Sequence, residues 1–215
     1  DRRQVYAAYM AMITLIDDQV GRILEALKET GQAENTLVVF MSDHGEMLGD
    51  HGIYFKGPHF YDGQMNVPLV IRWPQGDVRG NRRVDGFVEL IDLMPTFLDA
   101  AGIPIPSAVQ GKSLLPLLRG GDEIEHCREE VYAEYYNAWT HSDAYGTMLR
   151  TKDWKIVVYH GTNQGEFYDL KKDPDEFFNL WNHSDFQQQK QEYILKCFDA
   201  SVLSMDPDPP RLGPF

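Results

Sequence analysis

The stretch of residues 36–46, Thr-Leu-Val-Val-Phe-Met-Ser-Asp-His-Gly-Glu, constrains the fold of this chain more than any other. Five apolar residues in a row lead directly into turn-forming residues. A short apolar run of this kind predicts a strand at 36–41 that is buried on both faces, as in a sheet covered by helices. Open α/β sheets bind ligands at the carboxyl ends of their strands. Asp43 and His44 are therefore predicted to lie at a ligand-binding edge.

The pair Asp43-His44 is a candidate metal site because the carboxylate supplies charge and the imidazole supplies a neutral nitrogen. Most Asp-His-Gly triplets are ordinary turns with solvated side chains, so the triplet alone is compatible with a metal site and with a solvated turn. The next segment favours a site. Residues 45–63 contain five glycines, and histidines occur at 44, 51 and 59. This density of glycine lets the backbone turn tightly or pass close to a ligand.

Length and charge restrict the classes of function. The 215 residues suffice for one domain with a sizeable core, or for one domain with an added layer. The net charge of −13 argues against binding to nucleic acid, which requires a basic face. No run approaches the ~18 apolar residues that span a bilayer, so no membrane partner is expected. Cys127 and Cys197 have no metal-type spacing and do not make a disulfide framework.

Periodicity in the first half predicts an α/β arrangement. Apolar side chains recur every three or four residues through 5–29, which predicts an amphipathic helix with one buried stripe. The apolar run 67–73 predicts a strand beside 36–41, and 92–101 predicts a short helix capped by its first residue, an aspartate. Residues 1–121 are therefore predicted to form part of a doubly wound mixed sheet flanked by helices.

The pattern changes after residue 121. Residues 122–205 are predicted to form a small antiparallel sheet with a terminal helix at 184–203. Residues 206–215 contain four prolines and are expected to form an extended tail. The strand-like runs joined by turns are 131–136, 145–150, 154–159 and 166–170. The chain begins inside a predicted helix and shows no signal pattern. We therefore expect it to be a piece of a longer protein, and its compartment is left open.

Residues 36–52, followed by Lys56-Gly57, closely resemble the second half of a bacterial sulfatase, a family of the alkaline-phosphatase superfamily. Further segments resemble this family in the same order, and together the matches extend to about residue 182. These segments are 16–21, 67–74, 92–99, 111–116 and 166–176.

The resemblance implies a site and a chemistry. Asp43 and His44 correspond to residues that bind the family's divalent metal, and Lys56 to the lysine that contacts the sulfate and its bridging oxygen. The resemblance favours Ca²⁺ as the bound ion, while the nitrogen of His44 leaves Mn²⁺ or Zn²⁺ open. The implied substrate is a sulfate ester of a small molecule or a carbohydrate. His51 and His59 could each line the substrate pocket or serve as hydrogen-bonding residues of the loop.

Two parts of the family pattern are missing from this chain. The family's nucleophile is a formylglycine made from Cys or Ser in a Cys/Ser-x-Pro/Ala-x-Arg motif, and neither Cys127 nor Cys197 lies in such a motif. The paired aspartates that complete the metal site are also missing. The resemblance therefore covers the carboxy-terminal part of a sulfatase, with the formylglycine expected in the absent amino-terminal part. We expect the chain alone to be inactive.

Two other functions remain open on the sequence. One is a phosphonate monoester or phosphodiester hydrolase of the same superfamily, and the other is a binding module that has lost the nucleophile. A homo-oligomer that covers the cut face of the sheet is a further partner that the sequence leaves open.

Overall fold

The computed structural model of the chain describes residues 1–122, 126–136 and 144–205. Contacts divide them into two units that interleave along the chain. Unit 1 comprises Asp1–Gly57, Asp62–Arg83 and Leu118–Gly120. Unit 2 comprises Pro58–Tyr61, Val84–Leu117 and the described residues from Gly121 onward. The division near residue 122 stays a prediction, and the predicted tail at 206–215 lies outside the described residues.

Unit 1 contains a long helix and a pair of strands. Helix α1 is Arg2–Glu29, and the Asp1 carboxylate accepts a hydrogen bond from the N–H of Arg3 at 3.0 Å in its first turn. Strands β1, Val38–Met41, and β2, Leu69–Arg72, pair antiparallel. The predicted neighbour relation of the two apolar runs is thus confirmed. The short helix α2, Asp62–Met65, lies between the two strands in the chain. No helix within the described ranges is long and apolar enough to cross a bilayer.

Burial in unit 1 differs from the sequence prediction. The predicted burial of β1 on both faces is wrong, because Phe40 on β1 is 41% exposed and Val70 on β2 is 61% exposed. Helix α1 contains no buried residue, so the predicted buried stripe is also wrong. The physical reason is that an apolar face becomes buried only when another layer packs on it. The described residues place no such layer on these faces.

Unit 2 contains the predicted antiparallel sheet. Its strands are β3, Glu130–Tyr136, β4, Tyr145–Thr151, β5, Trp154–Tyr159, and β6, Gly165–Asp169. They pair antiparallel in sequence order, so the predicted small sheet is confirmed. Together with the helices this sheet gives the mixed α/β fold class that was predicted.

One face of this sheet forms the core of unit 2. Helix α5, Gln187–Leu203, follows the sheet and supplies Cys197 to a buried cluster with Leu149, Ile156 and Phe167. Side chains alternate between the two faces of a strand. These three strand residues therefore point away from the face that carries Lys155, Glu166 and Tyr168.

A buried group of charges fixes the segment before the sheet. Helix α3, Leu93–Ala100, starts next to Asp92, which is fully buried. The Asp92 carboxylate accepts hydrogen bonds from the backbone N–H groups of Glu89 and Lys112 at 2.8 and 2.7 Å. It also accepts from both terminal nitrogens of Arg128 at 2.5 and 2.6 Å. We call Glu89, Asp92 and Arg128 the Asp92 cluster. A four-residue helix, α4, Leu115–Leu118, follows α3 in the chain.

Candidate functional site

The segment after β1 is held in place by backbone contacts within unit 1. The N–H of Gly45 donates to the carbonyl of Gln64 at 2.7 Å. A Cβ on Gly45 would lie 2.0 Å from the carbonyl oxygen of Gly63, so only glycine allows this approach. The Ser42 hydroxyl donates to the carbonyl of His44 at 2.7 Å. Asp43 and His44 are thus fixed between two anchored positions at the carboxyl end of β1.

Asp43 and His44 lie side by side in an arrangement suited to bind a cation. Asp43 Oδ1 accepts from the N–H of His44 at 3.0 Å. His44 Nδ1 lies 2.8 Å from the carbonyl oxygen of Gly45. A carbonyl oxygen only accepts, so Nδ1 carries the proton and, in the neutral ring, Nε2 presents its lone pair. This is the tautomer that a metal-binding histidine adopts when its other nitrogen donates to a carbonyl.

The remaining distance in this pair fits two ligands of one ion. His44 Nε2 lies 3.5 Å from Asp43 Oδ2. Two donor atoms that are each about 2.0–2.6 Å from one metal ion, at roughly a right angle, lie about 3–3.5 Å apart. The side chain of Asp43 is 81% exposed and that of His44 is 37% exposed, so an ion can reach both. Within the described parts of the chain, no group of three or more His, Cys, Asp or Glu residues could hold a metal. The pair therefore offers two candidate ligands, and its metal binding stays a prediction.

The loop that follows is closed by Glu46. Its Oε1 accepts from the N–H groups of Leu48 at 3.1 Å and Phe55 at 2.7 Å. Leu48, His51 and Phe55 all have positive φ angles, of 50°, 52° and 68°. A left-handed conformation of a non-glycine residue costs roughly 1–2 kcal/mol, and such strain is concentrated at functional sites. Glu46 therefore maintains a strained loop, a role that its sequence position did not indicate.

Lys56 lies on the same unit as the Asp43–His44 pair. Its side chain is exposed, and no ion pair to it occurs among the residues that the structure describes. The next residue, Gly57, is fixed in both directions by the side chain of Gln64. The Gly57 N–H donates to Gln64 Oε1 at 2.9 Å, and Gln64 Nε2 donates to the Gly57 carbonyl at 3.0 Å. This contact spans seven residues, and nothing in the local sequence marks it.

The other two histidines occupy different environments. His51 lies in the short 3-10 turn Asp50–Gly52 of unit 1, in the strained loop. His59 belongs to unit 2, where both ring nitrogens are buried and the ring centroid lies 5.9 Å from that of Tyr61. The structure thus brings Asp43 and His44 into contact. The substrate roles of Lys56, His51 and His59 stay predictions.

Two family models match the chain. The model for N-sulphoglucosamine sulphohydrolase, C-terminal, matches residues 49–199. A second model, a family of unknown function called DUF229, matches residues 3–83.

Individual proteins of known name are also similar. An N-acetylglucosamine-6-O-sulfatase of Bacteroides thetaiotaomicron is 31% identical over 210 residues, which cover 96% of this chain and 37% of that protein. The solved structure of a 2-O GAG sulfatase has a TM-score of 0.80 at 32% identity, and the match covers 88% of this chain and 41% of that one. A phosphonate monoester hydrolase of Agrobacterium radiobacter has a TM-score of 0.80 at 32% identity, with coverages of 91% and 40%. The chain spans about two fifths of the length of these proteins.

Proposed function

This chain belongs to the sulfatase family of the alkaline-phosphatase superfamily, and we propose on that basis that it is part of a metal-dependent enzyme that hydrolyses sulfate esters. The observation that carries the proposal is the Asp43–His44 pair, with its 3.5 Å separation and its Nδ1-protonated tautomer. That geometry supports a pair of metal ligands better than it supports an ordinary solvated turn, which does not require the tautomer to be fixed.

Asp43 Oδ2 and His44 Nε2 would hold one divalent cation, and the Gly45 carbonyl would keep the imidazole in the orientation it needs. When bound, such an ion stabilises negative charge on the oxygens of a reacting sulfuryl group. Calcium is the favoured ion because it takes mostly oxygen ligands. Manganese and zinc are the alternatives because His44 supplies a nitrogen.

Lys56 is the proposed catalytic residue of this chain. A sulfuryl group in transfer carries charge on its non-bridging oxygens and develops charge on the bridging oxygen. A fixed ammonium group placed there lowers the barrier, because it stabilises charge where that charge develops. The hydrogen bonds between Gly57 and Gln64 restrict the backbone next to Lys56, which supports this role. His51 and His59 are proposed as substrate contacts.

The nucleophile is expected outside this chain, as a formylglycine. Cys197 is unsuited to nucleophilic attack because it is only 2% exposed and burial raises the pKa of its thiol. Its sulfur also contacts the Thr147 hydroxyl at 3.4 Å. Cys127 is half-buried and lacks the sequence motif. The isolated chain is therefore proposed to be inactive.

We propose a sulfated carbohydrate, or another small sulfate ester, as the substrate. The first is supported by the similarity to an N-acetylglucosamine-6-O-sulfatase. A second candidate function is hydrolysis of phosphonate monoesters, supported by the similarity to the Agrobacterium radiobacter hydrolase. Both use a cation and an ammonium group against an anionic ester, so the Asp43–His44 pair is compatible with either.

The test uses the protein expressed from the complete reading frame that contains this chain. Asp43→Ala and His44→Ala are expected to lose bound metal and hydrolysis of an aryl sulfate together. Asp50→Ala is the matched control, because Asp50 is an exposed carboxylate of the same loop and its ion pair with Arg2 is 4.0 Å long. Metal content and turnover of an aryl sulfate and of a phosphonate monoester are measured in parallel. Unchanged metal content and activity in Asp43→Ala would refute the site.

A further inference from the structure

Lys56 lies between two residues whose backbones are bound by side chains from outside the segment 55–57. On one side, the N–H of Phe55 donates to Glu46 Oε1 at 2.7 Å. On the other side, the side chain of Gln64 binds both the N–H and the carbonyl of Gly57, at 2.9 and 3.0 Å. Both chain neighbours of Lys56 are therefore held in place.

The two side chains that bind these neighbours start from a common point in the chain. The N–H of Gly45 donates to the carbonyl of Gln64 at 2.7 Å, and Glu46 is the next residue after Gly45. Covalent and hydrogen bonds therefore close a ring that runs from Gly45 through residues 55–57 to Gln64 and back. Every residue of this ring belongs to unit 1. The ring begins one residue after His44, so it ties residues 55–57 to the end of β1.

The loop between Glu46 and Phe55 is itself closed by backbone hydrogen bonds. The N–H of Gly49 donates to the carbonyl of Ile53 at 2.7 Å, and the N–H of Ile53 donates to the carbonyl of Asp50 at 2.9 Å. Phe55 has a φ of 68°, and its side chain is 72% exposed. Burial of the side chain therefore offsets little of the cost of this left-handed conformation. The hydrogen bond to Glu46 stabilises a backbone conformation that phenylalanine disfavours.

We propose that Glu46 and Gln64 are positioning residues for Lys56: they fix both of its chain neighbours relative to the end of β1. The inference rests on the proposed function, which makes Lys56 the catalytic cation. An ammonium group stabilises a transition state only where its charge meets the charge that develops there. An error of about 1 Å in the position of a catalytic group can reduce a rate by roughly 100-fold. The flexible lysine side chain follows part of a backbone shift, so we expect a loss of about 10-fold.

The first test changes Glu46 in the protein from the complete reading frame. Glu46→Ala removes the acceptor and is expected to lower kcat/KM for an aryl sulfate about 10-fold. Glu46→Gln keeps an oxygen that accepts from the same N–H groups, so its kcat/KM should stay within about threefold of the wild type. Asp50→Ala is the matched control, because it removes an exposed carboxylate of the same loop and should change kcat/KM less than about twofold.

The second test changes Gln64 without changing its size. In Gln64→Glu one oxygen still accepts from the Gly57 N–H, but the other faces the Gly57 carbonyl and has no hydrogen to donate. This variant is expected to lower kcat/KM about 10-fold. Gln32→Glu makes the same change at an exposed position of unit 1 and should stay within about twofold. If Glu46→Ala does not fold, as judged by its melting temperature, Gln64→Glu decides the outcome.

The dependence on the leaving group distinguishes a role through Lys56 from a general loss of structure. In the proposed function Lys56 stabilises charge on the bridging oxygen, and a less acidic leaving phenol depends more strongly on that stabilisation. Lys56→Ala is therefore expected to slow phenyl sulfate more than nitrophenyl sulfate. Glu46→Ala and Gln64→Glu should show the same preference with metal content unchanged. A merely structural role slows both substrates by the same factor.

The outcomes separate the inference from the proposed function. A wild-type protein that hydrolyses both sulfates, with Glu46→Ala and Gln64→Glu variants that keep its kcat/KM, overturns the positioning role alone. Variants that slow both substrates equally, while Lys56→Ala slows phenyl sulfate more, also overturn it. A wild-type protein that hydrolyses no sulfate ester overturns the proposed function and the positioning role with it. The same holds for a Lys56→Ala variant that keeps full activity or slows both substrates equally.

Discussion

Replacing Arg128 by methionine is expected to destabilise unit 2 strongly. Arg128 donates to both oxygens of Asp92, and its Nε lies 2.8 Å from Glu89 Oε2. The three side chains are only 13%, 0% and 19% exposed. Methionine fills a similar volume but leaves two buried carboxylates without their cation.

The structure allows the size of this effect to be worked out. Removing one partner of a buried ion pair costs about 3–5 kcal/mol. Asp92 keeps its hydrogen bonds from the backbone N–H groups of Glu89 and Lys112, which places the loss at the lower end, about 3 kcal/mol. With an m-value of about 2 kcal/mol/M, the urea midpoint is expected to fall by about 1.5 M.

The decrease in the free energy of unfolding caused by Arg128→Met is also expected to depend on pH. Burial raises the pKa of Glu89 above its ordinary 4.5, while the hydrogen bond from the Tyr132 N–H and the Arg128 charge lower it. Without Arg128 this pKa rises further. A raised pKa in the folded state means that the folded protein binds the proton more tightly. The contribution of Glu89 is then fully present below pH 4.5 and is lost as pH rises through the folded-state pKa. Arg128→Met should therefore cost less stability at pH 5 than at pH 7.5.

Urea unfolding followed by circular dichroism and tryptophan fluorescence, at both pH values, measures these changes. Arg22→Met is the control, since Arg22 is exposed on α1 and bonds to Gln19 at 2.6 Å. Its effect should stay within about 0.5 kcal/mol. A loss below about 1 kcal/mol for Arg128→Met, or a loss that is the same at pH 5 and pH 7.5, would refute the reasoning.

Three further predictions concern the isolated chain. It should not turn over an aryl sulfate with added Ca²⁺ or Mn²⁺, because the proposed catalytic groups lack a nucleophile, and metal-dependent turnover would contradict this. Gly45→Ala should destabilise unit 1 by more than 1 kcal/mol in urea unfolding, because the new Cβ would lie 2.0 Å from a backbone carbonyl oxygen. Gly21→Ala is the control: a Cβ at position 21 would have no atom within 4 Å, so this change should be neutral or stabilising. The exposed apolar side chains of α1, including Ile16 at 53% and Ile23 at 60%, should make the chain self-associate. Ile16→Ser with Ile23→Ser should reduce that association in sedimentation velocity, and unchanged association would exclude α1 as the contact.

The sheet of unit 2 was predictable because its signals are local. Trp154–Tyr159 is a short run rich in aromatic and β-branched residues. The turn before it is closed by the N–H of Trp154 donating to the Thr151 hydroxyl at 3.1 Å. The burial of Lys155 was not predictable. It is 1% exposed and pairs at 2.5 Å with Glu176, which lies twenty-one residues further along the chain. A strand pattern gives the face on which a lysine lies, but its buried partner depends on tertiary structure.

In the candidate site, too, contacts between sequence neighbours were predictable and contacts between distant residues were not. Asp43 and His44 are adjacent in the chain, so the sequence alone places them together at the end of β1, and their metal binding stays a prediction. The role of Glu46 as the closure of a strained loop was missed because its partner at Phe55 is nine residues away. The hydrogen bond between the side chains of Tyr61 and Tyr168 was missed because more than a hundred residues separate them in the chain. The alternation Glu166-Phe167-Tyr168 did indicate that two polar groups share a face, but not which residue they bind.

The small number of proposed ligands and the exposed apolar faces of unit 1 have one physical explanation. In an open α/β sheet, helices packed on the sheet bury the faces of a strand, and the strands beside it bring their own side chains to the same carboxyl edge. In the described residues, β1 has one paired neighbour, β2, and Phe40 and Val70 remain exposed. Within the described ranges, no third His, Cys, Asp or Glu joins the proposed ligand pair of Asp43 and His44. A further strand with its covering helix would therefore bury Phe40 and also bring side chains to the proposed metal site. Burial of α1 and β1 and full metal affinity should accordingly arise together.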